Sequence, residues 1–271
     1  MNRTTLWKAA VCLWAVPVLV SAINWHIDRE ESHFKYVATF IKSKGDQHMQ
    51  SASRLDKLRR LIKNEWRKGY DISELKYGNG TWIALFEKAA PQSHQTYFVT
   101  DRWSGVDATI DSYWKQGYRI TNIEHGLAKW VVVLSQNTPY TAQSTERHKN
   151  LSAFYRAVKK RWKKGYDLLD IEYGQGHWSG IFVKGVGNHV QTMITRSRWY
   201  EMKRAIGRHW KKGYSISNLE FALGKWTGVF TKQSQATLQR YEVAPHVARL
   251  KRRFRLYRNE GWKLIDLAEG F

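Results

Sequence analysis

Two columns of acidic and amide side chains are the part of this sequence best equipped for chemistry. Glu74, Asn122, Asp170, Asn218 and Asp266 recur every 48 residues, and Glu124, Glu172 and Glu220 stand two residues after the second to fourth of them. Paired carboxylates can bind calcium or, when one has a raised pKa, do acid and base work on a glycoside. Asp170 and Glu172 are the pair that a hydrolase of cell-wall or surface polymers would use. The periodicity also fits a plainer role, in which a ring of carboxylates balances neighbouring lysines, since a catalytic pair usually breaks repeat symmetry.

Other routes to catalysis find no residues. The ten histidines show no metal-ligand spacing, no G-x-S-x-G elbow is present, and no glycine-rich phosphate loop follows a strand. Cys12 is the only cysteine. The expectation is a non-enzymatic protein without metal or cofactor.

Charge points to a different kind of function. With 45 Lys+Arg against 23 Asp+Glu the chain carries a formal charge of +22, a field that attracts nucleic acid, acidic polysaccharide or anionic lipid headgroups. The basic residues crowd into segments of helical pattern. Arg59, Arg60, Lys159, Lys160, Lys211, Lys212, Arg252 and Arg253 are the candidate polyanion contacts. The segment with Asp107 and Asp111 is the weak sector of this basic belt. A rigid scaffold for a protein partner is the further alternative, and it requires a large apolar patch.

These residues are positioned by a repeat. Gly69, Gly117, Gly165, Gly213 and Gly261 are each followed by an aromatic residue, and their period is 48. Phe34, Trp82, Trp130, Trp178 and Trp226 form a second column, and Gln47, Gln95, Gln143, Gln191 and Gln239 a third. Leu58, Ile62 and Trp66, like Phe154, Val158 and Trp162, fall at i, i+4, i+8, which predicts a helix with one inward apolar face. The glycine suits a left-handed C-terminal cap. Strands are predicted at Tyr118 to Glu124 and Trp130 to Leu134, with a third near the glutamine, whose amide can hydrogen-bond backbone at the seam between units. The tryptophans are read as core residues.

The chain enters the repeat at the strand of Phe34 and leaves it just after the glycine strand, so its two ends are complementary halves. The expected fold is an α+β repeat of five 48-residue helix-plus-antiparallel-strand units closed into a propeller-like ring, a device that hides sheet edges. Residues 34–271 are its domain, and 23–33 a linker. Residues 1–22 read as a signal peptide, with Arg3 and Lys8 before an apolar run and Val20-Ser21-Ala22 as the cleavage site. Its removal would leave a secreted or periplasmic chain near +20, two basic residues fewer and no acidic one.

The series K-K-G-Y, I-S-N-L and K-W-T-G-V-F in residues 211–230, with T-P-Y-T-A-Q-S in residues 138–144, resembles a tryptophan-rich repeat domain of unknown function. That domain occurs at the C-terminus of plant casein-kinase-like kinases and in free-standing bacterial proteins. The likeness runs over roughly residues 34 to 271. It implies the repeat architecture and brings no catalytic residue with it. A looser likeness links the layout to the repeats that precede the catalytic domain of fungal polyglycine hydrolases.

Overall fold

The computed structural model describes residues 33–89, 94–187, 190–232 and 238–271; the proposed signal segment lies outside them. It contains five repeated units, each a helix with a three-stranded antiparallel sheet. The first unit holds β2 (Gln47–Ala52), α1 (Leu55–Arg67), β3 (Tyr70–Gly78) and β4 (Thr81–Lys88). The second holds β5 (Gln95–Thr100), α2 (Trp103–Lys115), β6 (Arg119–Gly126) and β7 (Lys129–Ser135). The third and fourth repeat this order with β8 (Ala142–His148), α3 (Leu151–Lys163), β9 (Asp167–Gly174) and β10 (His177–Lys184), then β11 (Gln191–Arg196), α4 (Trp199–Trp210), β12 (Tyr214–Ala222) and β13 (Lys225–Lys232). The fifth holds β14 (Gln239–Ala244), α5 (Val247–Asn259) and β15 (Trp262–Gly270), and takes its central strand, β1 (Lys35–Lys42), from the start of the repeats.

In the first four sheets the spatial order is first strand, last strand, middle strand, and in the fifth it is β14-β1-β15. The glutamine strand therefore opens a sheet ahead of the helix. Periodicity alone leaves it trailing the preceding unit, because pairing partners are not visible in a single strand's pattern. Residues Tyr36 to Ile41 pair antiparallel with β14, and Lys35 to Lys42 with β15.

Local chemistry explains the elements. Leu58 and Ile62 of α1 and Phe154 and Val158 of α3 are buried against the sheets. The glycine after each helix is left-handed, with φ between 74° and 83°, where a Cβ would be strained. Middle and last strands are joined by two-residue turns with positive φ at both positions, Asn79-Gly80 in the first unit and Leu127-Ala128 in the second. Such turns match the twist of the strands they join.

The cores lie between neighbouring units. Leu58, Ile62, Trp82 and Phe86 of the first unit pack with Val131 and Val133 of the second. Phe40, Leu250 and Phe254 of the fifth pack with Ile83 and Leu85 of the first. Trp82, Trp130, Trp178 and Trp226 are fully buried. Trp66, Trp114, Trp162 and Trp210 are only half-buried, because each indole N–H reaches the rim to donate to a glutamine. The middle strands touch in series: β3 meets β6, β6 meets β9, β9 meets β12, β12 meets β15, and β15 meets β3.

Candidate functional site

The glutamine column controls how the middle strands are shaped. Gln143 accepts from the Ile120 N–H at 2.8 Å and donates to the Ile120 carbonyl at 2.8 Å, while the Trp114 indole donates to its oxygen at 3.0 Å. Gln95, Gln191 and Gln239 do the same at Ile72, Leu168 and Ile216. Gln47 clamps Leu264, and there Arg258, at the tryptophan's place, donates to the Gln47 carbonyl. Each clamped residue immediately precedes a register shift: Ile72 pairs with Phe86 and Glu74 with Leu85, leaving Ser73 as the bulged residue. The same shift isolates Thr121, Leu169, Ser217 and Ile265. A bulge of this kind leaves its extra residue outside the ladder and bends the strand.

The bulges define a cavity of about 420 Å³. Its wall includes all five bulged residues, together with the five that follow them: Glu74, Asn122, Asp170, Asn218 and Asp266. Tyr140, from the loop after β7, adds one aromatic ring to the wall and has no equivalent among the repeated columns.

Two residues further along the middle strands lies a buried ion cluster. The Lys76 ammonium is 3.2 Å from Glu124, 3.0 Å from Glu172 and 2.6 Å from Glu220. All four side chains are at least nine-tenths buried. Burial opposes the lysine's charge, yet these glutamates hold its pKa well above the usual lysine range. Burial, followed by repulsion from Glu172, pushes the Glu124 carboxyl well up. Glu124 also accepts from the Tyr77 N–H of the neighbouring strand at 2.9 Å. Lys76 belongs to the column of Glu124, Glu172 and Glu220, and Ala268 completes it. Sequence reasoning saw the three acids and missed their cation, although the 48-residue period points straight at position 76.

The residues on the cavity wall are arranged differently. Asp170 is fully engaged: Ile123 N–H donates to one oxygen at 3.0 Å and the Asn218 amide to the other at 3.1 Å. Burial raises its pKa to about 6. Asp266 accepts from the Leu219 N–H at 3.2 Å, and burial raises it to about 8. Glu74 is pushed well up by burial and then by Asp266 and Asp170. The second oxygen of Asp266 and the amide oxygens of Asn122 and Asn218 are buried without a hydrogen-bond partner. Asp170 and Glu172 thus occupy separate layers, one on the cavity wall and one bonded to Lys76. Among the described residues no group of three or more His, Cys, Asp or Glu is disposed to hold a metal ion.

Of the basic residues picked out by the sequence, Arg59, Arg60, Lys159, Lys160, Lys211, Lys212 and Arg252 are exposed on or just beyond their helices. Arg253 is half-buried and pairs with Glu242 at 3.0 Å. Lys159 lies over the Tyr155 ring at 4.4 Å. Asp107 and Asp111 are exposed on α2. Among the described residues no helix is long and apolar enough to cross a membrane.

No curated protein matches the chain. Residues 44–172, which run from just before β2 into β9, are similar to a family described as a domain of unknown function (DUF7477).

Proposed function

We propose that the five units close into a propeller-like ring and that the chain is a non-enzymatic, secreted or periplasmic module that binds a polyanion through the basic faces of its helices. Closure is supported by the contact of β15 with β3 and by the core that the fifth unit shares with the first.

The binding reading rests on the separation of charge. Glu124, Asp170, Glu172, Glu220 and Asp266 are buried together among the middle strands, while Arg59, Arg60, Lys159, Lys160, Lys211, Lys212 and Arg252, on or just beyond the helices, face solvent. Sequestering acids inside leaves the outer surface more positive than the overall composition. Such a surface draws in a polymer of negative charge, and neutralising several charges releases counterions, so affinity falls steeply with salt.

The test is retention of the protein on heparin, duplex DNA, anionic vesicles and peptidoglycan at about 50 and about 300 mM salt. Retention at the lower salt that disappears at the higher supports the reading and identifies the polymer class. Retention on none of them, or retention indifferent to salt, overturns it.

A further inference from the structure

The groove between the third and fourth units carries features that the repeat does not require. A second cavity of about 420 Å³ lies between α3 and β11, walled by Leu151 and Tyr155 from the helix and by Met193, Ile194 and Arg196 from the strand. Its size is that of a small-molecule pocket, and such pockets are mostly apolar with a few placed polar groups. Leu151, Tyr155 and Ile194 are half-buried, so these parts of the wall keep surface open to solvent. A smaller hollow of about 210 Å³ adjoins the cavity, since Arg196 belongs to both walls. There Arg196 meets Arg204 and Arg208, which stand one turn apart on α4 and are exposed. Among the described residues none of these three arginines forms an ion pair. Three guanidiniums on that wall outweigh its one carboxylate, Glu201.

Two of these residues break their columns. Tyr155 stands where the other helices carry Arg59, Asp107, Lys203 and Lys251, and Arg196 where the other units carry Ala52, Thr100, His148 and Ala244. Neither departure serves the architecture, which the other four units build without them.

We propose that this groove binds a single-chain amphiphilic anion, a hydrocarbon chain that ends in a phosphate or sulfate. The chain lies in the cavity against Leu151, Tyr155 and Ile194, and the oxyanion is held by Arg196, Arg204 and Arg208. Guanidinium N–H groups form a planar fork that matches the oxygens of such a head group. Taking the chain out of water adds affinity in proportion to the apolar area covered. Lys225, also on the cavity wall, adds a fourth cation. This inference goes beyond the polyanion reading and does not rest on it, because contact through charge alone needs no apolar cavity.

The experiment is titration calorimetry of the full chain with n-octyl phosphate below its micelle concentration, inorganic phosphate, n-octanol and a short oligodeoxythymidine. n-Octyl phosphate binds at one site, at least about 10-fold more tightly than inorganic phosphate or n-octanol, since each of these offers only half of the match. An Arg204→Gln, Arg208→Gln double variant binds n-octyl phosphate about 10-fold more weakly and n-octanol as the parent does. Both arginines are exposed, so this variant keeps its fold, which circular dichroism checks. Absent binding of n-octyl phosphate, equal binding of inorganic phosphate or of n-octanol, tighter binding of the oligonucleotide, or an unchanged affinity in the double variant each overturns the proposal.

Discussion

The ammonium of Lys76 lies 2.6 Å from a carboxylate oxygen of Glu220, 144 positions away in the chain. One side chain from the first unit thereby ties together the second, third and fourth units, since Glu124 and Glu172 share the same ammonium. A buried charge is tolerated only when paired and hydrogen-bonded. This cluster therefore depends on its single cation.

Lys76→Met leaves three buried carboxyls facing one another. Removing one partner of a buried ion cluster costs about 3–5 kcal/mol. The expected result is a large fall in melting temperature, smaller at acid pH, where protonated glutamates no longer repel. Thermal unfolding at two pH values checks this.

The cavity-wall acids set a pH dependence of the opposite kind to most surface carboxylates. Folding raises the pKa of Asp266 to about 8. Between the usual aspartate value near ~4 and that value, the folded state holds a proton that the unfolded chain has released. Stability is therefore greatest below this window and falls as pH rises through it, at most by about 1.4 kcal/mol per pH unit for one group. Asp170, raised to about 6, adds to the lower part of the range. Denaturant titrations from acid to mildly basic pH should show the decline, and Asp266→Asn should flatten its upper part.

Gln143→Ala removes both bonds to Ile120 and leaves the Trp114 indole without its acceptor. Losing these bonds and stranding their partners costs about 2–4 kcal/mol. Amide exchange at Ile120, the residue before the bulge, should rise in that variant. An exchange rate equal to the parent's would mean that the clamp does not hold the bulge.

Close packing between units makes Gly126 sensitive. A Cβ there would stand 2.3 Å from the Tyr77 ring of the preceding unit. Gly126→Ala should cost about 1–3 kcal/mol through overpacking. Two residues on, Ala128 has φ of 55° in the hairpin turn, so Ala128→Gly should instead stabilise by about 1 kcal/mol. Paired denaturation curves separate the two effects.

Much of this was legible because the sequence repeats. Left-handed glycines, buried strand tryptophans and the glutamine seam all belong to five-membered columns whose residue types carry an obvious local role. Lys76 escaped because it breaks the type of its column, and a lysine among glutamates reads as a surface charge until the strands converge. The bulges were invisible, since a register shift is a relation between two strands and leaves no mark in either alone. Tyr140 was hidden for a related reason: its loop has no repeated pattern, and only the path of the chain after β7 brings it to the cavity wall.

The most direct test of the functional account is the affinity of the full chain for heparin, measured as a function of salt concentration for the parent and for a Lys159→Ala, Lys160→Ala double variant. The account predicts a log-log plot that falls with a slope of several units, made shallower by roughly one to two units in the variant as its two phosphate-like contacts are lost. An affinity independent of salt, or a variant slope identical to the parent's, would contradict polyanion binding through these helices.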